Sequence, residues 1–526
     1  MASLYVSEIE AATKGFGILL IFVFILYKFL INKKPSRPDN QLKLPPGPRP
    51  WPLVGNLHQL GHLPHQSLAE LAKKYGNIVF LRLGSVPTVV ISSPAMAKEF
   101  LKTHDSVFAS RPPVSAAKYL FYDHRDVTFA RYGEYWKQMR KLCTMELFTV
   151  KRTESFKSVR EEEVITMVRS IWQQSEEGIH SVDLRGSLSL LTQNIVCRMF
   201  SGRTFSDDEL NGGVGFKDML SEMAAVAGAF VIGDYIRFLE WFDLEGIRRR
   251  MRVVQKIFDG FAEKVIDEHI NRRREKSEDE NRVKDMVDVL LDRAESESQS
   301  MEVKISRVHI KAIILDILIA GVETSSTTIE WAMSELLKNP HVLEKAQQEI
   351  ESLVGRDRFL VEKDVTSCEY LRCIVRETFR LHPPVPLLLP HESMEVCFVD
   401  GYYIPPKTML LVNVWAMGRD ENVWADPLQF NPERFMGKTT DVKGQDFELI
   451  PFGTGRRGCP GISMGLSIVE LALAELIHCF DWSVECELNM DEFFGITVPK
   501  KFPLFSRPSW RMSKKYDSIF DIKKSG

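Results

Sequence analysis

The sequence lacks the features that mark several common classes of protein. None of its eight cysteines forms a CxxC pair, so paired zinc-ligand spacing is missing, and eight cysteines in 526 residues are too few for a disulfide framework. Asn-x-Ser/Thr glycosylation sites and internal repeats are also absent. A formal net charge of -3 gives no reason to expect a nucleic-acid partner. These absences indicate a reducing compartment such as the cytosol, in which all but one of the thiols are small hydrophobic core residues.

Charge is missing from one long stretch near the N-terminus. Gly15–Tyr27 is uncharged, and with its flanks the apolar stretch reaches about 20 residues, enough to cross the hydrocarbon core of a bilayer. Lys33, Lys34 and Arg37 follow it, so the rest of the chain is expected on the cytosolic side. The sequence therefore predicts a single-pass anchor over residues 1–34. A cleaved signal peptide is the alternative, although no small-residue cleavage site follows the run.

The rest of the chain predicts one domain behind a stiff connector. Residues 35–52 are too rich in proline for a regular helix and predict an extended hinge. Two strands are predicted at Ile78–Leu83 and Thr88–Ile91, and helix-spaced apolar residues dominate the middle of the chain. No linker divides residues 53–526. The predicted fold class is mainly α with a minor β part (α+β).

The most informative stretch is Phe452–Gly461, with the sequence FGTGRRGCPG. Gly453, Gly455 and Gly458 allow a tight loop whose N–H groups can point at the sulfur of Cys459. Such N–H groups, and the positive end of the helix predicted to follow, favour the thiolate over the thiol. A thiolate held in this way is a suitable axial ligand for haem iron. On these residues alone, the loop could equally be a glycine-rich turn with a buried, inert cysteine.

The loop matches the pattern FxxGxRxCxG at Phe452, Gly455, Arg457, Cys459 and Gly461. Here the sequence resembles the cytochrome P-450 superfamily at its haem-binding signature. The resemblance implies that family's fold, with haem b held between a long central helix and the cysteine-ligand loop, and with Cys459 as the iron ligand. Further motifs extend the resemblance over nearly the whole chain. The proline-rich hinge looks most like that of plant microsomal members.

Two motifs upstream of the loop are similar to structural elements of the family. Residues 377–380 match ExxR, and residues 432–435 read PERF. The resemblance implies that Glu377, Arg380 and Arg434 form a buried network that holds the cysteine loop against the helices. Without the resemblance, an isolated ExxR pair would be interpreted as a surface salt bridge worth well under about 1 kcal/mol.

The segment AGVET at residues 320–324 lies inside a long apolar helix predicted over about 310–337. Its residues alone favour a helix kink with hydroxyls bonded back to the preceding turn. The resemblance implies instead the family's oxygen-binding groove. In that groove Gly321 would leave space above the iron, Thr324 would hydrogen-bond dioxygen, and Glu323 would relay protons from solvent.

The resemblance also implies residues that contact the cofactor and the substrate. The residues expected to hold the haem are Trp136, Arg140, His391, Phe452, Arg457 and Cys459. His391 stands where many relatives have Arg, so its charge would depend on pH. The apolar residues expected to line a substrate pocket, several of which could simply pack the core, are Phe129, Ile313, Ile317, Ala320, Val385, Leu388 and Ile496.

The implied activity is an NADPH- and O2-dependent monooxygenase of the endoplasmic reticulum membrane, acting on a small lipophilic plant metabolite such as a terpenoid or phenolic. No flavin or nicotinamide motif is visible, so electrons would come from a separate NADPH-cytochrome P-450 reductase that docks near Lys137, Lys141 and Arg456. One alternative is a haem-thiolate isomerase or dehydratase, which needs neither dioxygen nor reductase. Another is a non-catalytic haem-binding or scaffold protein. The presence of Glu323 and Thr324 favours the monooxygenase.

Overall fold

The computed structural model describes residues 42–209, 215–275, 283–296 and 304–513. The predicted anchor over residues 1–34 and the first part of the predicted hinge, residues 35–41, lie outside the described residues. The chain divides into two units, of which the smaller contains residues 1–44 and Phe398–Tyr403 and the larger contains Pro45–Cys397 and Ile404–Gly526. Within the smaller unit, the Tyr403 N–H donates to the Lys43 carbonyl at 2.8 Å. Every residue of the candidate site lies in the larger unit.

Helices dominate the described chain, which confirms the predicted mainly α fold with a minor β part. The α-helices are α1 (Pro64–Tyr75), α2 (Pro94–Lys98), α3 (Ser115–Tyr119), α4 (Glu134–Leu142), α5 (Val150–Ser155), α6 (Lys157–Gln174), α7 (Leu184–Ser201), α8 (Phe216–Ala227), α9 (Ile232–Tyr235), α10 (Ile247–Arg274), α11 (Met286–Ser296), α12 (Arg307–Lys338), α13 (Pro340–Val354), α14 (Glu362–Val365), α15 (Glu369–Leu381), α16 (Val414–Met417) and α17 (Ile462–Cys479). Short 3-10 turns lie at Leu57–Gln59, Asp207–Glu209, Arg237–Leu239, Pro432–Phe435 and Gly455–Arg457, and π-helical turns lie at Glu99–Thr103 and Cys143–Leu147.

The strands are short. They are β1 (Ile78–Leu83), β2 (Val86–Ile91), β3 (Val182–Asp183), β4 (His391–Glu392), β5 (Cys397–Val399), β6 (Tyr402–Ile404), β7 (Met409–Val412), β8 (Phe480–Ser483) and β9 (Phe505–Trp510). The main sheet has the order β1-β2-β7-β4, in which only the β2–β7 pair is parallel. Because His391 pairs with Leu410 in this sheet, the strand register sets the position of the His391 ring.

The second half of the predicted hinge is packed against the main sheet. The Phe80 N–H in β1 donates to the Pro46 carbonyl at 2.8 Å. Any side chain at Gly47 would overlap the Phe80 carbonyl, so the backbone can approach the strand this closely only at a glycine. No helix is assigned to the described residues 42–52, and from Pro45 onward this segment belongs to the larger unit.

The longest helix that the structure describes, the 32-residue α12, is buried along most of its length. It ends at Lys338, before the Asn339–Pro340 step, where proline disfavours a helical conformation in the preceding residue. A side chain at Gly321 would come within 2.9 Å of a Val196 methyl group on α7, so close helix packing also requires this glycine. α12 and α17 are apolar enough to cross a membrane, but 72% and 67% of their apolar segments are buried inside the protein. Both are core helices.

Candidate active site

A cavity of about 310 Å³ brings most of the predicted site residues together. The predicted residues that line it are Phe129, Trp136, Arg140, Ile313, Ile317, Ala320, Thr324, Val385, Leu388, His391, Phe452, Arg457, Cys459 and Ile496. Within the described chain, Glu323 is the one predicted cofactor, catalytic or pocket residue that is not part of the lining. The cavity wall therefore combines α12, the loop before α4, the cysteine loop and the segment around Ile496.

The cysteine loop is held by its own backbone. The Cys459 N–H donates to the Phe452 carbonyl at 2.9 Å, and the Gly458 N–H donates to the Gly455 carbonyl at 3.1 Å. Gly453 and Gly455 have φ angles of 66° and 68°, a region that glycine adopts without strain. Gly458, with φ at -55°, does not need that freedom. The loop therefore uses two of its three predicted flexible glycines.

The Cys459 sulfur faces the cavity and the start of α17. Burial raises the pKa of the Cys459 thiol, while the Gly461 N–H and the Arg140 guanidinium act in the opposite direction. The Gly461 N–H therefore favours the thiolate, in the expected direction, although burial of the charged form has the larger effect and favours the thiol. A bound metal cation would favour the thiolate further, since direct coordination deprotonates a thiol.

Cationic side chains crowd the same cavity. Arg111 is only 4% exposed, and burial and the neighbouring Arg140 lower its pKa to about 10. Burial and the charges of Arg111 and Arg140 lower the pKa of Arg457 to about 8, although Asp126 acts in the opposite direction. Burial and the charges of Arg111 and Arg457 lower the pKa of His391 to about 3. Within the described residues, the cluster carries more positive than negative charge.

Several N–H groups of Arg457, Trp136 and Arg140 donate to backbone carbonyls around the cavity. Arg457 donates to the carbonyls of Ala109 and Ala130, both at 2.6 Å, and lies over the Trp136 ring at 4.1 Å. The Trp136 indole N–H donates to the Val127 carbonyl at 3.0 Å. Arg140 donates to the Gly458 carbonyl and so joins α4 to the cysteine loop.

His391 is buried, and its Nδ1 lies 2.9 Å from the Phe108 carbonyl. In a neutral ring, a proton on Nδ1 for this bond leaves Nε2 without one. His391 therefore donates to an anion through Nε2 only when it is protonated, a state that a bound carboxylate would stabilise.

These residues fit a haem. The Cys459 thiol faces the cavity together with Arg111, Arg140 and Arg457, which lower one another's pKa and whose charge Asp126 offsets only in part. A haem would supply an iron ion for the thiol and two carboxylates for the cations, because buried charges require partners. Sequence reasoning did not assign Arg111 to this set, although a charged residue within an otherwise apolar loop is a signal of a buried partner.

The three residues of the predicted network lie together. Arg380 binds Glu377 through two hydrogen bonds of 2.7 and 2.8 Å, and Arg434 Nε donates to the same carboxylate at 3.0 Å. The side chains of Glu377 and Arg380 are fully buried. Arg380 also donates to the Pro427 and Gln429 carbonyls at 2.6 and 3.0 Å, so it fastens the segment before PERF to α15.

The AGVET segment lies at the middle of α12. The Thr324 hydroxyl donates to the Ala320 carbonyl at 2.6 Å, so its oxygen can still accept a hydrogen bond from the cavity side. Glu323 lies outside the lining, and its Oε2 accepts a hydrogen bond from Thr497 at 3.1 Å. Burial raises the pKa of Glu323, and the Thr497 hydroxyl partly offsets this effect.

Sequence reasoning also missed two buried acids that hold the loop before α4. Asp126 accepts from the Phe129 N–H and Asp316 accepts from the Val127 N–H, both at 2.7 Å. Burial raises the pKa of both carboxyls, that of Asp316 to about 6. They fix the carbonyls that receive the Trp136 and Arg457 donors. Asp316 is a lone acid in the apolar run of α12, and this was the signal in the sequence that could have identified it.

The other thiols mostly follow the prediction. All eight cysteines are free, and six of the seven outside the site residue Cys459 are buried. Cys486 is exposed, so the expectation that it is a buried hydrophobic residue is wrong. It lies in a polar turn after β8, where no apolar neighbours cover it.

The sequence is similar to known proteins along nearly its whole length. The family model described as Cytochrome P450 matches residues 45–505. Cytochrome P450 750A1 of Pinus taeda is 46% identical over 94% of this chain and 96% of its own length. Cytochrome P450 71AP13 of Prunus mume is 44% identical over 95% of each chain. A flavonoid 3'-monooxygenase of Petunia hybrida is 42% identical over 94% of this chain and 98% of its own length.

Proposed function

The chain belongs to the cytochrome P450 family and is a P450 monooxygenase, and we propose that it uses NADPH and O2 to oxidise a small lipophilic plant specialised metabolite, a terpenoid or a phenolic. The observation that carries this proposal is the single cavity that unites the Cys459 thiol, the buried cations and the apolar wall. Haem b, when bound, supplies the oxygen-activating chemistry. The protein's residues bind the haem, orient the substrate and deliver protons.

We assign those roles as follows. Cys459 is the iron ligand, and Phe452, whose carbonyl accepts from the Cys459 N–H, is a cofactor-binding residue of the same loop. Arg111, Arg140, Arg457 and His391 are the partners of the two cofactor carboxylates, with Trp136 beneath the Arg457 guanidinium. Thr324 offers its hydroxyl oxygen to the cavity, and Glu323 is the acid that supplies protons. Glu377, Arg380 and Arg434 hold the structure around the cysteine loop.

The wall of the cavity supports an apolar, partly aromatic substrate. Phe129, Ile313, Ile317, Val385 and Leu388 line it, and hydrocarbon and aromatic side chains recognise ligands mainly by shape and burial. Three similar proteins are named flavonoid 3'-monooxygenases, from Petunia hybrida, Crocosmia x crocosmiiflora and Arabidopsis thaliana. A phenolic substrate is consistent with both observations.

We propose that the protein is a single-pass protein of the endoplasmic reticulum membrane with a cytosolic catalytic domain. The uncharged run near the N-terminus supports this location. A second apolar segment is exposed between α9 and α10. Its exposed side chains are Phe238 (56%), Trp241 (91%), Phe242 (59%) and Leu244 (65%). A run of this kind is suited to a lipid surface.

Electrons are proposed to arrive from a separate NADPH-cytochrome P450 reductase. The proposed docking face contains Lys137, Lys141 and Arg456, on α4 and on the cysteine loop. Lys137 pairs with Glu134 at 2.6 Å and Arg456 pairs with Asp105, whereas Lys141 has no acidic partner in the described chain. Lys141 therefore offers the least compensated charge to an acidic partner surface.

Reconstitution of the purified protein tests the proposal. The full chain, loaded with haem and combined with the reductase in lipid vesicles, should convert members of a panel of terpenoids and phenolics only when NADPH and O2 are both present. The reduced protein should give the strongly red-shifted Soret band of sulfur-ligated haem with carbon monoxide, and Cys459→Ser should lose it. Conversion without NADPH would instead support the haem-thiolate isomerase or dehydratase.

A further inference from the structure

Thr497 lies between the acid Glu323 and the cavity. It belongs to the segment Ile496–Leu504, called here the C-terminal tail. Glu323 is not part of the cavity lining, whereas Thr497 is. The Thr497 hydroxyl donates to Glu323 Oε2 at 3.1 Å, and Thr497 is only 4% exposed. Within the described residues, Glu323 has no salt bridge and no second hydrogen bond from a side chain. Thr497 is therefore its one side-chain link to the space where substrate is expected.

The tail is fixed along α12, so this contact is not incidental. Trp331 Nε1 donates to the Val498 carbonyl at 2.9 Å, and Lys500 Nζ donates to Ser334 Oγ at 3.0 Å. The Leu504 N–H donates to Glu330 at 3.0 Å. These bonds span more than two turns of α12 beyond Glu323, and they hold the tail in one register along the helix.

The residue before Thr497 joins the tail to the substrate side. Ile496 lines the cavity, and any side chain at Gly228, just after α8, would overlap the Ile496 backbone. The Val498 N–H donates to the Pro384 carbonyl at 2.9 Å, next to the cavity residue Val385. A substrate that packs against Ile496 thus presses on the same short segment that holds Glu323.

On the basis of the proposed function, we infer that Thr497 is a positioning residue that holds the Glu323 carboxyl and carries its proton to the cavity. A hydroxyl can donate and accept at once. When the Glu323 carboxyl is protonated the bond reverses, so that the carboxyl O–H donates to Thr497 Oγ1 and the Thr497 hydroxyl turns to donate to a water or acceptor in the cavity. The Glu323 proton then moves to Thr497 Oγ1 as Thr497 passes its own proton on. The carboxylate that remains takes a new proton from solvent, so no proton is gained or lost by the pair.

The electrostatics agree with this arrangement. Burial raises the pKa of Glu323, and Thr497 is the partner that lowers it. No charged group of the described chain on α7, α8, α12 or the tail pairs with this carboxyl. Loss of the hydroxyl should therefore leave Glu323 protonated to a higher pH, and unable to release its proton along the same route.

The experiment compares four variants of the haem-loaded full chain: Thr497→Val, Thr497→Ser, Glu323→Gln and Thr192→Val. Thr192 is the matched control, because it is buried and donates only to carbonyls of its own helix. Infrared titration follows the carboxyl C=O band that Glu323→Gln abolishes. Thr497→Val should raise the midpoint of that band by about one pH unit, as expected for one lost hydrogen bond. Thr497→Ser and Thr192→Val should leave it in place.

Turnover supplies the second readout. With a panel compound that the wild type converts, Thr497→Val should lower the product formed per NADPH several-fold and raise hydrogen peroxide, and Thr497→Ser should restore the ratio. An unchanged infrared midpoint or an unchanged product ratio in Thr497→Val overturns the inference. If the wild type converts no compound while the infrared shift is present, the proposed function fails and the contact between Thr497 and Glu323 stands.

Discussion

At the scale of single residues, the cationic cluster gives the sharpest test of cofactor binding. Arg111 donates to the Leu389 and Pro390 carbonyls at 2.7 and 2.8 Å and lies among other cations. Charged hydrogen bonds are worth about 1.5–3 kcal/mol, so Arg111→Leu should weaken haem binding about 10-fold or more. Arg131→Leu is the control, because that side chain is 55% exposed. Equal haem retention by both variants, measured by transfer of haem to apomyoglobin, would show that Arg111 is not a partner of the cofactor carboxylates.

His391 predicts a pH dependence of known sign. Its pKa in the haem-free protein is lowered to about 3, whereas an unfolded histidine titrates near 6.5. Between these values the unfolded chain binds a proton that the folded chain does not, so this residue lowers stability as the pH falls from about 6.5 towards 3. In haem-free protein, His391→Gln should flatten the fall of the urea midpoint across that window. With haem bound, the cofactor carboxylates should reduce the difference from wild type.

The residues that sequence patterns identified are those whose chemistry is local. The pattern FxxGxRxCxG identified Cys459, and the backbone hydrogen bonds that shape this loop join residues of the loop itself. Arg111, Asp316 and Thr497 act through partners that are distant in the chain, namely Pro390, Val127 and Glu323. No spacing along the sequence encodes such pairs, because they form only when separate elements pack.

At the scale of elements, periodicity predicted helix and strand well. The predicted helix over about 310–337 is observed at Arg307–Lys338, and the predicted strand at 78–83 is observed with the same bounds. Apolar spacing is sufficient for these elements because burial on one or both faces decides them. The close approach of α12 to α7 at Gly321 was not predicted, because a glycine in the sequence does not indicate which neighbouring helix packs against it.

The element prediction concerns the joint between α15 and the PERF turn. Glu377 is fully buried and accepts from both Arg380 and Arg434, so Glu377→Gln leaves two buried cations without their anion. Loss of one partner from a buried pair costs about 3–5 kcal/mol. The urea unfolding free energy should fall by that amount. Glu70→Gln is the control, since the Glu70–Lys73 pair is 70% and 73% exposed and should change stability by less than about 0.5 kcal/mol. A similar small loss in both variants would contradict a structural role for the network.

At the scale of the whole molecule, surface charge rather than fold determines partner choice. The net charge of -3 is too small to steer a partner, so any docking site must arise from local patches. Such patches cannot be identified from composition, because internal pairing cancels many charges. Two of the three predicted docking cations, Lys137 and Arg456, are paired with acids of the same chain.

The prediction for electron transfer concerns Lys141, because its charge is not paired with an acid in the described chain. Lys141→Glu should slow reduction of the haem by the reductase on the order of 10-fold at low ionic strength, because it replaces an uncompensated positive charge on the docking face with a negative one. Lys137→Glu should have a smaller effect, since Glu134 already offsets that charge at 2.6 Å. Lys73→Glu on α1, whose side chain is 73% exposed, is the matched control away from this face. Stopped-flow reduction at increasing salt should bring the rates of all variants together, because screening shortens the reach of charge to about 3 Å at 1 M. Rates that differ equally at every salt concentration would show that Lys141 acts through the protein's structure and not through attraction of its partner.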